Sequence, residues 1–573
     1  MKKKAIPVIV ALILIVILGV VVVGGYLLER FSYSEERMDL GEYFGSQGEY
    51  LTIVLQDELL EEQALVRDGR CYFTLHQVQE LFQEGFYADE GEQLLLFTSA
   101  TDTTKVRFGE KQYENAAGAV TADYVICFRE GEQVYVAADY VKQYANFSFE
   151  IFPYCVQIYN QWGERVEAPA LKATAVRVLG GIKSAILADV AEGETLEILD
   201  RMETWCKVKT SQSIIGYVEN KHLGTESIVT ERPVTDYVPE EYTGLSLPER
   251  VSLGWHSIGG VGGNQSLDSM VSGTTGMNVI APTWFSMCDN DGNIRSFGSR
   301  DYVDKAHRYG LQVWGVLDNF NYANENDVSI DEYAVLSSTA KRQRLIENVM
   351  SLAKNLDLDG INLDFEQINS AVSTHYVQFL RELSVACRKD GLILSIDNYV
   401  PFNFNSYYRL DIQGQVADYV IIMGYDEHWH GSGDPGSVAS IGYVTGGLER
   451  TLEQVPAHKV VNALPFYTIL WKTEGAEVTD EYVTMRNQAA LIASKKLETS
   501  WNEEACQNYA EWTEDGVTYR IWFEDAQSIM AKLNVMIAKD IGGVAVWRLG
   551  YEDKSIWSLL STYSKLPLTN TAQ

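Results

Sequence analysis

The seven cysteines, Cys71, Cys127, Cys155, Cys206, Cys288, Cys387 and Cys506, are scattered over 573 residues with no Cys-x-x-Cys spacing and no dense cluster. That pattern indicates neither a zinc site nor a disulfide framework, and an odd number leaves at least one thiol unpaired in a monomer. Positive charge is scarce as well. Lys and Arg number 46 against 79 Asp and Glu, a net charge of −33. Phosphate neutralisation cannot drive binding at such a balance, so no nucleic acid is expected as a partner, nor an anionic lipid surface held by charge.

Apolar residues are plentiful. They make up 46% of the chain, with 11% aromatics, ample for several packed cores in a chain this long. The amino terminus reads Met-Lys-Lys-Lys and then runs uncharged from Ala5 to Leu28. That run is long enough to cross a hydrocarbon layer of about 30 Å. Three lysines before it place the start in the cytoplasm and the rest of the chain outside. A cleaved signal peptide is the competing reading. The run exceeds the usual apolar region of ~7 to 15 residues and no clear Ala-x-Ala site ends it, so residues 1–30 are read as a single-pass anchor in the cell membrane. The charged segment from Arg30 to Gln47 then reads as a tether.

Composition and turn residues divide the remainder. Residues 48–165 alternate short strand-like runs, such as Leu94 to Thr98, with short helical ones. Arg67-Asp-Gly followed by Tyr72, Leu75 and Val78 is echoed by Arg129-Glu-Gly followed by Tyr135, Ala138 and Val141, a hairpin-plus-helix unit used twice. This region resembles the extracellular stalk module called the copper amine oxidase N-terminal-like domain. The name implies neither copper nor oxidase chemistry here, because no His, Cys and Met cluster has ligand spacing. A spacer or binding role is what carries over. Residues 170–225 hold short strands, among them Thr195 to Leu199 and Trp205 to Lys209, at the spacing of a small β-barrel. The Trp-x-Lys-Val and Gly-Tyr-Val segments, Trp205 to Val208 and Gly216 to Val218, are similar to those of bacterial Src-homology-3-type domains, which implies cell-wall peptides as partners. Residues 226–248, acidic and proline-bearing, read as a linker.

From 249 to 566 strand-like and helix-like runs alternate as in a parallel (β/α)8 TIM barrel. Eight strands are predicted, beginning at Val251, Val279, Gln312, Gly360, Leu392, Tyr419, Val460 and Gly543. An excursion between Thr473 and Glu524, with a helical piece at Asn487 to Leu497 and a hairpin turned at Glu514-Asp-Gly, reads as a small α+β insertion.

The fourth strand carries the most information. Asp359 to Glu366 read Asp-Gly-Ile-Asn-Leu-Asp-Phe-Glu. On an extended chain Asn362, Asp364 and Glu366 share one face while Ile361, Leu363 and Phe365 share the other. Carboxylates are rarely buried without a partner or a purpose. A structural ion-pair network is the alternative for one Asp-x-Glu alone. The whole pattern, however, resembles the Asp-Gly-x-Asp-x-Asp-x-Glu signature of glycoside hydrolase family 18, the chitinase-like retaining hydrolases. Met423-Gly-Tyr-Asp426 at the sixth strand end and Trp547 at the eighth match that family in order. Ser286 to Phe297, Glu427 to Ser440 and Trp522 to Asp525 are similar to its subgroup associated with spore and cell-wall peptidoglycan.

The resemblance implies substrate-assisted retaining hydrolysis of an N-acetylated amino-sugar polymer, peptidoglycan or chitin-like, without a cofactor or metal. Glu366 is the implied acid/base, with a pKa raised by burial and neighbouring charge. Asp364 orients the substrate's acetamido group and Tyr425 donates a hydrogen bond to it. Asp426, Trp547, Asn362, Met423, Trp255 and Trp284 are the expected substrate-binding residues. Asn362 replaces a carboxylate common in chitinases, which puts a proton relay through that position in doubt and points to the wall-associated subgroup. Asp359, of opposite parity to Glu366, is read as structural. His428 and His430 bracket Trp429, but no third ligand is identifiable, so this loop is expected to line the sugar site rather than bind zinc. Two classes stay open: a wall-directed N-acetylglucosaminidase, with chitin as the other substrate, and a lectin-like relative that binds without cleaving.

Overall fold

The computed structural model describes residues 5–230, 237–320 and 329–568. They form two compact units: residues 1–88, 106–113 and 120–239 in the first, and 89–105, 114–119 and 240–573 in the second.

In the first unit, Ala5–Phe31 is one helix, about 40 Å long at 1.5 Å per residue. From Pro7 to Phe31 its mean hydropathy reaches 3.3 and none of it is buried. Length and composition suit a membrane anchor or a signal sequence. The segment after it is not a free tether, because it adds to an edge of the small barrel. The Met38 N–H donates to the Ile186 carbonyl (3.0 Å) and the Ile186 N–H donates to that of Glu36 (2.7 Å). Arg37 also pairs with Asp189 at 2.7 Å. The twice-used hairpin-plus-helix unit is present. Glu58–Arg67 and Arg70–Thr74 turn at Asp68 and Gly69, both left-handed, into a helix, Leu75–Leu81, capped by Thr74 and Gln77. Cys127–Glu130 and Gln133–Ala137 turn through left-handed Gly131 into the helix Ala138–Val141.

The small barrel is a seven-stranded antiparallel sheet ordered 186–190, 174–177, 215–219, 205–209, 195–201, 164–169, 227–230. Its last strand, Ser227–Thr230, occupies the start of the stretch read as linker.

The second unit is built on a closed barrel of eight parallel strands: β1 Val251–His256, β2 Val279–Pro282, β3 Gln312–Asp318, β4 Gly360–Asp364, β5 Ile393–Tyr399, β6 Tyr419–Met423, β7 Val460–Pro465 and β8 Gly543–Trp547. Strand β8 pairs with both β7 and β1, and β2 with β3, which closes the ring. Around it lie α1 (Arg300–Arg308), α2 (Thr339–Leu356), α3 (Ser373–Asp390), α4 (Leu410–Val416), α5 (Ile441–Leu452), α6 (Ala526–Lys539) and α7 (Trp557–Ser564).

Alternation on β4 decides which residues reach the barrel's interior. Phe365 turns outward and stacks on Phe379 of α3 (centroids 5.6 Å apart, planes 9° apart), so the Asn362, Asp364 and Glu366 face turns inward. The glycine that opens β4 is required by close packing. A Cβ on Gly360 would meet the Ile393 carbonyl oxygen and the fully buried Trp314 ring, both at 2.8 Å. Asp359 sits beside it at the amino end of the strand, where Oδ2 accepts from the Val313 N–H (2.7 Å) and pairs with His307 (2.8 Å).

Between β7 and α6 lies the insertion, a five-stranded antiparallel sheet with one helix, Met485–Lys495. Its hairpin Gln507–Glu514 and Val517–Phe523 turns at Asp515 and Gly516, both left-handed as a tight hairpin turn demands. Two stretches that composition places elsewhere belong to this unit. Asp89 and Glu92 accept hydrogen bonds from the Thr339 and Ala340 N–H groups at the start of α2 (2.6 and 2.9 Å). In the stretch read as linker, the Leu245 N–H donates to Asp418 (2.6 Å) and the Leu247 N–H to the Tyr419 hydroxyl (2.8 Å).

Candidate active site

The carboxyl ends of β1, β3, β4, β5, β6 and β8 converge on a cavity of about 170 Å³ lined by Trp255, Phe320, Asp364, Glu366, Asp397, Tyr399, Met423, Tyr425, Asp426 and Trp547. In a parallel barrel this is the rim where side chains are free of the sheet and can meet a ligand.

Glu366 is held from three sides. Its carboxylate accepts from the Tyr399 hydroxyl at 2.5 Å, its N–H donates to Asn319 Oδ1 at 3.1 Å, and its carbonyl accepts from Tyr408 at 2.8 Å. Burial raises its pKa; the Tyr399 bond opposes that shift, and Asp426 adds to it. Asp364 is raised well above the usual carboxylate range, by burial first and then by Glu366, Asp397 and Asp318. Its Oδ1 is buried without a hydrogen-bond partner. An orphaned acceptor of this kind costs about 1–3 kcal/mol, which is repaid when a ligand supplies the donor.

Just past β6, a Cβ at Gly424 would meet the side-chain Oδ1 of Asn462 at 2.8 Å and the Ala463 carbonyl at 2.9 Å, which fixes the Met-Gly-Tyr-Asp turn. Asp426 takes a left-handed backbone (φ 60°), a conformation short polar side chains tolerate, and accepts a hydrogen bond from Tyr467 of the insertion. Tyr425 is buried and its phenol is pushed well above its ordinary pKa by burial and by Asp426, so it is a donor throughout the physiological range. Trp255 and Trp547 meet edge to face at 5.9 Å.

Seven of the nine residues singled out from the sequence therefore line one cavity. Asn362 lies behind it, fully buried, with Oδ1 accepting from Trp255 (2.9 Å) and Nδ2 donating to Asp397 (2.8 Å) and Ser395 (3.0 Å). It is not among the residues that line the cavity. Trp284 is a correction of another kind. It is 1% exposed, its Nε1 is committed to Asn264 at 2.8 Å, and it packs edge-on against Tyr302 of α1, in the core and outside the cavity lining. Sequence reasoning missed Phe320, Asp397 and Tyr399. The last two were legible in principle, because Asp397 and Tyr399 repeat on β5 the alternation of Asp364 and Glu366 on β4. His430 pairs with Asp480 and His428 lies against Asp434 (3.2 Å), which leaves the Trp429 indole exposed on the loop after β6.

Residues 325–552 match the family described as glycosyl hydrolases family 18, and residues 172–224 match the bacterial SH3 domain. The chain carries a family 18 glycosyl hydrolase domain. The chain is 25% identical over 316 residues to the uncharacterized glycosylase YvbX of Bacillus subtilis (strain 168), a match covering 53% of this chain and 90% of that protein. It is 28% identical over 250 residues to the cortical fragment-lytic enzyme of the same organism, covering 41% of this chain and 57% of the relative. The chain thus spans little more than half the length of that enzyme. The crystal structure of the spore cortex-lytic enzyme SleL of Bacillus cereus shares the fold, with a TM-score of 0.50 at 23% identity, covering 61% of this chain and 78% of that one.

Proposed function

We propose that this family 18 glycosidase is anchored in the cell membrane by the helix Ala5–Phe31, faces outward, and cleaves β-1,4 bonds next to N-acetylglucosamine in peptidoglycan by substrate-assisted retaining hydrolysis. The observation that carries the reading is the pairing of Glu366, held by Tyr399, with an Asp364 whose buried Oδ1 awaits a donor in the same cavity.

The chemistry follows from those two states. Glu366, whose pKa burial raises, gives its proton in the protonated form to the glycosidic oxygen as the bond from that oxygen to the anomeric carbon breaks. The acetamido carbonyl oxygen of the same sugar bonds to the anomeric carbon on the opposite face. The amide N–H lies against Asp364 Oδ1, which stabilises the positive oxazolinium charge. Tyr425 donates to the acetamido oxygen, Asp426 holds a sugar hydroxyl, and Trp547 provides an apolar floor. Water then adds to the anomeric carbon, its proton passes to Glu366, and the oxazolinium ring reopens with configuration retained.

Peptidoglycan is favoured over chitin by the name of the cortical fragment-lytic relative and by the bacterial SH3 domain preceding the barrel. That domain and the hairpin-plus-helix region before it would hold the barrel within the wall. The test is incubation of the detergent-solubilised chain and its Glu366→Gln variant with purified peptidoglycan and with chitin oligomers, followed by mass analysis of new reducing ends. Ends at N-acetylglucosamine from peptidoglycan, made by the parent and not the variant, are expected. Products from chitin alone would move the substrate; none from either polymer would sink the hydrolase reading in favour of a lectin-like protein.

A further inference from the structure

Strand β5 carries a second polar stripe. Asp397 and Tyr399 are two residues apart on an extended strand, project to one face, and both line the cavity. Asn362, the residue that departs from the chitinase signature, spends its amide on this stripe. Its Nδ2 donates to Asp397 Oδ1 at 2.8 Å while Trp255 occupies its own oxygen at 2.9 Å. With no surface on the cavity, Asn362 is a peg whose product is a fixed Asp397. Two residues along, Tyr399 places its hydroxyl 2.5 Å from Glu366.

We infer that β5 supplies two positioning residues for the reaction: Asp397, pegged by Asn362, stands as the second carboxyl beside Asp364, and Tyr399 holds Glu366 from the other side. The inference rests on the glycosidase reading above and adds residues to it that neither the fourth-strand signature nor the sixth-strand segment contains.

The surroundings define how the two act. Around these groups stand Asp318 from β3, Asp364 and Glu366 from β4, Tyr408 beyond β5, Tyr425 and Asp426 from the end of β6, and Tyr376 from α3. All are acids or phenols. Asp364 feels Glu366, Asp397 and Asp318; Asp397 is itself raised well above the usual range, by burial first, with the Asn362 bond opposing and Glu366 adding. In its ionised form Asp397 makes Asp364 hold its proton more tightly, whereas the Tyr399 bond favours ionised Glu366. The two residues therefore push the pair's titration in opposite senses. A fold-maintaining role would not produce that signature.

The experiment uses the full chain in detergent and measures the pH profile of kcat/KM on an N-acetylglucosamine oligomer. Asp397→Asn should shift the acidic limb downward and Tyr399→Phe should shift the alkaline limb upward, each on the order of one pH unit. Exchanging the partners, Asn362→Asp with Asp397→Asn, should bring the acidic limb back. Variants with lower rates and unmoved limbs would overturn the inference. A second arm needs no turnover. A buried carboxyl with a raised folded pKa costs stability as pH rises from its unfolded value of about 4. The melting temperature of Asp397→Asn relative to the parent should therefore rise between about pH 4 and pH 7. A parent inactive on every polymer would refute the glycosidase reading while leaving this arm readable, and an equal difference at both pH values would overturn the role of Asp397. Should Asp397→Asn not fold, the Tyr399→Phe limb decides alone.

Discussion

Two regions of the same barrel bury carboxylates, and they do so in opposite ways. At the rim, Asp364, Glu366 and Asp397 share a cavity with phenols and with one another, and one Asp364 oxygen has no partner. At the junction of the insertion with α6, Glu524 is fully buried, yet Lys532 and Gln507 converge on Oε1 and Ser528 donates to Oε2 at 2.8 Å. Burial raises Glu524 too, but the Lys532 charge and hydrogen bonds pull it back. Arg342 and Glu382 repeat the compensated design between α2 and α3, with two bonds at 3.1 Å. A buried acid with a buried cation is a fastener. A buried acid surrounded by acids is held in reserve for a ligand or a proton.

Replacing the rim acid should produce the largest effect on catalysis. Glu366→Gln is expected to lower kcat by about 10²–10⁴-fold, the usual weight of a positioned acid/base, with the fold intact by circular dichroism. Asp364→Asn should follow, losing kcat more than it raises KM, because its contact with the acetamido N–H strengthens as charge develops. A uniform rise in KM with kcat unchanged would assign Asp364 to ground-state binding instead.

The fastener should respond in stability, with the opposite sign from the rim. Lys532→Met leaves Glu524 buried and uncompensated and should cost about 3–5 kcal/mol in chemical denaturation. Asp364→Asn removes a carboxyl whose ionisation burial opposes and should raise the melting temperature at pH 7. The sign follows from linkage: with a folded pKa above the unfolded one, the native state binds more protons, so stability falls as pH rises through that window. The gain should therefore fade towards about pH 4, where the unfolded carboxyl is also protonated. A gain equal at both pH values would mean that packing, not charge, is responsible.

How much of this was legible from the chain follows the same division. The eight barrel strands could be read because each is a buried apolar run, and β4 because its polar face interrupts one. Residues whose meaning depends on a partner far along the chain could not be read. Asn362 looks like a cleft residue until Asp397 and Trp255 are seen on its amide. Trp522 to Asp525 resembles a family feature, but only the fold shows Glu524 gripping Lys532 eight positions later, so that the segment is a clasp. The segment Ser34 to Met38 reads as tether because its charges are local, whereas its backbone pairing with Ile186 spans some 150 positions and leaves no periodic trace.

The smallest effects should separate two tryptophans given one role by the sequence. Trp547 lines the cavity beside Trp255, so Trp547→Ala should raise KM for oligomers by about tenfold, the order expected for loss of an aromatic sugar platform worth 1–2 kcal/mol. Trp284 touches Tyr302 and Asn264 in the core. Trp284→Phe should leave KM within about twofold while costing about 1–3 kcal/mol of stability, from the lost ring volume and the stranded Asn264 oxygen. A KM change of equal size in both variants would join the two rings in one binding surface and undo the separation. Because each variant is read in both KM and melting temperature, binding and packing can be told apart even though both side chains are indoles under the same rim.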